Sequence, residues 1–152
     1  MKIMENLWQV GGAEFTSVED AAIYLIRFGE KAALIDAGCG GGHDHLVNNI
    51  SEVFPSDVEI EYLFLTHCHY DHTGGAEAVR NHYGCKLVAH ELDADYLENG
   101  DSTVTAASWY GARMKPLKID CLGSVILQSI FSGFIRAPYQ LAAVTVLSPF
   151  SR

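Results

Sequence analysis

Leu63-Phe64-Leu65-Thr66-His67-Cys68-His69-Tyr70-Asp71-His72-Thr73-Gly74-Gly75 is the stretch around which the chain is organised. An apolar run meets four potential metal ligands within six residues, and two glycines follow. On an extended strand the side chains alternate with period two, so His67, His69 and Asp71 project to one side. His72 breaks that alternation and joins the same group only if the chain turns there. Gly74 and Gly75 permit such a turn and a close backbone approach. The segment is therefore expected to join a strand end to a helix start, with the four side chains converging. Imidazole nitrogens with one carboxylate suit zinc, and also iron, nickel or copper. A single histidine here would be an ordinary surface or core residue. Four donors at this spacing, behind an apolar run, are not explained by packing.

Working outward, residues 7–10 form a short strand ending at Gly11-Gly12. Residues 21–28 and 32–35 are apolar runs separated by Gly29-Glu30, which reads as a tight hairpin. The second run ends at Asp36, ahead of the glycine-rich loop Gly38-Cys39-Gly40-Gly41-Gly42. On the residues alone Asp36 is a turn or helix-capping aspartate. His43-Asp44-His45 opens a helix whose apolar positions are Leu46, Val47, Ile50, Val53 and Phe54, closed by Pro55. At a helix start His43 and His45 point in different directions, which favours surface or capping roles for this second H-x-H. Residues 58–65 alternate, become wholly apolar and deliver the motif. Thr73 is placed to cap the next helix, 74–83, which buries Ala76, Val79 and Tyr83. A strand at 87–89 and an acidic helix at 91–98 follow, with His90 at the strand end. His82, near a helix end, reads as solvated. Trp109, Tyr110 and Tyr139 are candidates for substrate contact, set against the commoner place of lone aromatics in a core. The order β-β-β-α-β-α-β-α implies a mixed α/β sheet covered by helices.

The whole chain bounds these readings. A length of 152 residues fits one domain. Apolar content of 49% with 19% charged residues describes a soluble globular protein. The net charge of −9 argues against nucleic acid as a partner, because phosphate binding needs a basic face. Met1 to Asn6 carries Glu5 and has no long apolar core, so no secretory signal is read there. Cys39, Cys68, Cys85 and Cys121 form no C-x-x-C pair, which favours reduced thiols and a cytoplasmic location over a disulfide framework. Cys68 would face away from its histidine neighbours as a small buried residue.

The run H-x-H-x-D-H followed by glycine resembles the metal-binding signature of the metallo-β-lactamase superfamily. Leu34-Ile35-Asp36-Ala37-Gly38 resembles the strand-end aspartate that precedes the motif in that family. Val88-Ala89-His90-Glu91 resembles the strand and acidic helix that follow it. The resemblance spans roughly residues 6–100 and is nearest to the group containing glyoxalase II-type thioester hydrolases. It implies an α/β fold: the N-terminal half of a metallo-β-lactamase-type αβ/βα sandwich, a mixed β-sheet with covering helices. It also implies that His67 and His69 hold one metal while Asp71 and His72 hold a second. Asp36 would stand behind them, bonded to a ligand rather than to the metal; this competes with its reading as a turn residue. Zinc is the implied cofactor, as one or two ions, with iron or manganese as alternatives. A metal-activated hydroxide would attack a carbonyl, with Asp71 as the catalytic residue that orients it and takes its proton. A small-molecule ester or thioester is the implied substrate; lactones, β-lactams and phosphoesters are runners-up. Imidazole at His69 favours hydrolysis over the redox branch, which commonly carries Glu there.

The resemblance stops before the C-terminus. The family's second half brings a G-H-T-x-G-type histidine, a bridging aspartate and a late histidine, and none is present. All nineteen acidic residues lie at or before position 120, while 121–152 carry Arg136 and Arg152 as their only charges. Two parts are therefore expected: an incomplete metallo-β-lactamase-like domain at 1–120 and an apolar tail at 121–152. The tail reads as the end of a truncated or frame-shifted product; a genuine short variant and a membrane-associated tail are the alternatives. Gly133, Arg136 and Pro138 interrupt it, which opposes a spanning helix. A half-sandwich leaves one sheet face uncovered, so cover from its own tail or from a second chain is expected, with a homodimer or aggregation as the outcome. Against the hydrolase stand two rivals: a non-catalytic metal-binding remnant, and a scaffold domain with a decayed motif.

Overall fold

A computed structural model of the chain describes residues 1–54 and 59–123. Strands β1 (Lys2–Met4), β2 (Leu7–Gly11), β3 (Ile23–Phe28) and β4 (Lys31–Ile35) form an antiparallel meander. Strands β5 (Glu59–Phe64), β6 (Lys86–His90) and β7 (Cys121–Gly123) then continue from β4 in parallel. The seven strands lie in chain order across one mixed sheet. The expected hairpin is present: Phe28 pairs with Lys31, and Gly29 takes the left-handed φ of 64° that its turn requires.

Parallel neighbours need crossover connections, and each is helical. Helix α1 (His43–Val53) joins β4 to β5, α2 (Tyr70–Thr73) and α3 (Ala76–Tyr83) join β5 to β6, and α4 (Glu91–Asn99) precedes β7. Crossovers of one hand, stepping one way across a sheet, stack on one face. Leu25, Leu34, Leu63 and Leu87 from the strands meet Leu46, Ile50, Val79 and Leu97 from the helices in one buried core. The opposite face carries a smaller cluster, Ile26 and Ile35, with Leu7, Tyr24 and Phe64 half-buried around it. Strand alternation sorts these residues: Ile23 and Leu25 face the helices, Tyr24 and Ile26 the other side. In β5 the register skips at Glu61, since Ala32 pairs with Ile60 and Ala33 with Tyr62. That irregularity lets Ile60 and Leu63 share the helix-side core although they differ in parity.

Two features differ from expectation. The sheet gains β1, which pairs with β2 although all three of its residues are exposed and carry no apolar alternation. The helix expected at 74–83 with a Thr73 cap is instead two pieces. Thr73 ends α2, and its hydroxyl bonds back to the His69 carbonyl at 3.0 Å, with the Cys68 carbonyl at 3.2 Å. A hydroxyl used this way inside a helical turn is not available to cap the next one. Gly75 is the N-cap of α3, and no side chain bonds there. Strand β7 extends the sheet beyond residue 120, and the rest of the apolar tail lies outside the described residues. Among the described residues no helix is long and apolar enough to cross a membrane.

Candidate metal centre

Parallel pairing of β4 with β5 brings their C-terminal ends side by side, the edge at which open α/β sheets place their sites. Asp36 leaves β4 and Thr66 leaves β5 at this edge. The Asp36 amide donates to the Phe64 carbonyl at 2.8 Å, and the Leu65 amide to Val88 at 2.9 Å. Asp36 has a φ of 63°, a left-handed conformation that aspartate tolerates better than most residues. The residue is 3% exposed.

That buried carboxylate is the hub. Oδ1 accepts from the Thr66 amide at 2.8 Å, and Oδ1 and Oδ2 share the Thr66 hydroxyl at 3.0 and 2.9 Å. Oδ2 also lies 2.8 Å from His72 Nδ1. An ionised carboxylate only accepts, so Nδ1 of His72 must donate, and in the neutral ring the lone pair then sits on Nε2. The Thr66 hydroxyl has one proton, and Asp36 takes it. His67 Nδ1, 3.1 Å from that hydroxyl, therefore donates as well, which leaves its Nε2 free to bind. One aspartate and one threonine thus set the tautomers of two rings. No sequence pattern singles out Thr66; its one signal is a hydroxyl residue directly ahead of the first histidine.

Residues 66–68 bend rather than extend, and Tyr70–Thr73 coils into one turn with the extended His69 as its N-cap at φ −64° and ψ 146°. The four motif side chains therefore span a bend and a single helical turn, not a regular helix. The His67 ring stands 4.7 Å from His69 and 4.1 Å from His72, centroid to centroid. His72 Nε2 lies 3.6 Å from Asp71 Oδ2. Among the described residues no three donors already stand at metal-holding distances from one common point. The donor chemistry nonetheless fits: three imidazoles and a carboxylate meet at one strand end, with Nε2 of His67 and His72 left as acceptors. Burial lowers the pKa of His67, and the neighbouring His72 and His69 rings lower it further, which favours the neutral, ligating form. Burial also pulls His72 down, but its hydrogen bond to Asp36 and the charges of Asp36 and Asp71 outweigh this and raise it.

The other residues singled out in the sequence make different contacts. His43 packs against His82 at 5.7 Å between ring centroids, and His45 Nδ1 lies 3.1 Å from the Thr16 carbonyl. His82 is exposed, as expected. His90 is the N-cap of α4, its Nδ1 accepting from the Leu92 amide at 3.1 Å. Cys68 is buried in the core, where burial, then Asp93, pushes its thiol up to about 12. Trp109 is 87% exposed on the 3-10 turn Ala107–Tyr110, and the neighbouring Tyr110 ring lies 5.8 Å from Tyr70. Tyr139 lies outside the described residues.

Residues 17–139 match the family model described as the Metallo-beta-lactamase superfamily, a stretch that runs past residue 120. A probable metallo-hydrolase of Methanocaldococcus jannaschii is 33% identical over 95 residues, covering 62% of this chain and 44% of that protein. A hydroxyacylglutathione hydrolase of Haemophilus influenzae is 36% identical over 58 residues, covering 38% of this chain and 25% of that one. A metallo-beta-lactamase structure from Cronobacter sakazakii superposes with a TM-score of 0.65 at 23% identity, covering 81% of this chain and 46% of that one. The chain thus spans less than half the length of these relatives.

Proposed function

We propose that this chain, which belongs to the metallo-beta-lactamase superfamily, serves hydrolysis of a small-molecule ester or thioester at a metal centre built by His67, His69, Asp71 and His72. The observation that carries the reading is the chain of contacts from Asp36 through His72 to Asp71, at 2.8 and 3.6 Å. Such an arrangement spends a buried carboxylate on orienting one ring nitrogen toward a second carboxylate, which a purely structural histidine does not need. Zinc suits the mixed nitrogen and oxygen donors.

His67 and His69 would hold one side of the centre, and Asp71 and His72 the other. A bound divalent ion supplies Lewis acidity, which polarises a carbonyl and acidifies water. The remaining work falls to the protein. Asp36 keeps the His72 ring in one tautomer and one orientation. Thr66 does the same for His67. Asp71 is the more accessible carboxylate, its side chain 27% exposed against 4% for Asp36. It can therefore meet an attacking water and take its proton, while Asp36 stays out of reach of substrate. The likeness to the Haemophilus influenzae protein supports a thioester; lactones and β-lactams are the competing substrates.

A screen of thioesters, lactones and β-lactams with zinc-loaded full-length chain tests the reading. Zinc-dependent turnover that disappears in Asp71→Ala supports it. Bound zinc with no turnover of any of the three classes would instead support a non-catalytic metal-binding protein.

A further inference from the structure

Two aspartates in this chain are each followed by an alanine whose amide holds a carbonyl of α2. Ala37 N–H donates to the His72 carbonyl at 2.8 Å, and Ala21 N–H to the Asp71 carbonyl at 3.1 Å. These carbonyls need outside donors because α2 is a single turn and its last carbonyls are orphaned. The Gly75 amide, which would satisfy Asp71 in a continued helix, goes instead to the Gly38 carbonyl at 2.9 Å. Backbone from two distant segments therefore fixes the turn that carries Asp71 and His72.

The first of these aspartates, Asp36, reaches the centre itself. The second, Asp20, does not. The residue is 7% exposed, and its side chain lies behind the glycine loop. Oδ1 accepts from the Cys39 amide at 2.7 Å, and Oδ2 from the Thr16 hydroxyl at 2.6 Å. A Cβ on Gly38 would stand 2.5 Å from the Asp20 carboxyl carbon, and one on Gly42 2.9 Å from Oδ2. Gly38 and Gly42 are thus packed on this carboxylate as closely as glycine alone allows. The same loop supplies the Gly38 carbonyl to Gly75, and it follows directly on Ala37.

We propose that Asp20 is a positioning residue of the metal centre. It anchors residues 37–42 from behind and places Ala21 beside α2, so that Asp71 and His72 are held from two sides. This rests on the reading of His67, His69, Asp71 and His72 as the metal-holding set. Asp20 acts through backbone, so its loss disturbs the second half of that set without removing a donor.

Full-length wild type, Asp20→Ala, Asp20→Asn and Ile50→Val are compared in two measurements: zinc titration against a competing chelator, and amide hydrogen exchange of the metal-free chain. Ile50→Val removes one methylene from the core away from the centre and reports plain destabilisation. Asp20→Ala is expected to weaken zinc binding about tenfold or more, the range for outer partners of metal ligands, and to speed exchange at Ala21 and Ala37. Asp20→Asn keeps an acceptor for Cys39 and falls between it and wild type. Ile50→Val leaves affinity unchanged. Wild-type affinity in Asp20→Ala with unchanged exchange at both alanines overturns the proposal, as does an equal affinity loss in Ile50→Val. Should Asp20→Ala fail to fold, Asp20→Asn decides by the same signs. If wild type takes no zinc, the metal reading fails on its own. Exchange at Ala21 and Ala37 then decides the role of Asp20, faster exchange sustaining it and unchanged exchange removing it.

Discussion

Replacing Asp36 by Asn isolates the contact on which the orientation of His72 depends. Asparagine has the same shape and also tolerates the left-handed backbone at φ 63°. It keeps a carbonyl oxygen for the Thr66 amide, which bonds Oδ1 at 2.8 Å. It puts an NH2 group where Oδ2 now receives His72 Nδ1 at 2.8 Å. Two donors then face each other, and the ring relieves this by moving its proton to Nε2, the nitrogen that faces Asp71. A charge-assisted hydrogen bond is worth about 1.5–3 kcal/mol, equivalent to roughly ten- to a hundredfold in an equilibrium constant. The loss of zinc affinity is expected in that range, since both the bond and the ligating nitrogen are lost together. The assay is zinc titration against a competing chelator, with thermal unfolding of the metal-free protein alongside. A variant that is less stable yet binds zinc as tightly as wild type would refute the reasoning, because Asp36 would then be a folding residue with no bearing on His72 as a donor.

Further outcomes follow from the same geometry. His69→Ala should weaken zinc binding far more than His82→Ala, because the His69 ring sits 4.7 Å from His67 while His82 packs on His43; equal effects in the titration would count against the ligand assignment. Gly75→Ala should cost about 1–3 kcal/mol of stability, since its Cβ would come within 2.3 Å of the Ala37 carbonyl oxygen. Denaturant unfolding reads that cost, and a wild-type midpoint would show that the two loops separate easily.

The mixed sheet from β2 to β6 and the place of the motif were largely legible, because each depended on local pattern. The hairpin at Gly29 follows from two apolar runs and a glycine, and the motif bend from an apolar strand running into donors and then Gly74-Gly75. Strand β1 was not legible, because its pairing uses backbone alone and leaves no apolar alternation to read. The break after Thr73 was hidden because threonine serves equally as a cap or as a back-bonded residue inside a turn. The role of Asp36 stood open between a turn and the centre until β4 and β5 lay side by side. Its partners Thr66 and His72 are 30 and 36 residues away, a distance that no local pattern spans. Asp20 is illegible for the same reason: in sequence it is an acid ahead of an apolar run, and its bond to Cys39 crosses 19 residues.

The central claim is that this motif binds metal, and zinc content tests it most directly. Full-length protein and a His67→Ala, His69→Ala double variant are loaded with zinc, dialysed together and analysed for bound metal. The account predicts that wild type keeps at least one zinc per chain and that the double variant loses it. Equal zinc in the two proteins, or none in either, would contradict the assignment of the centre.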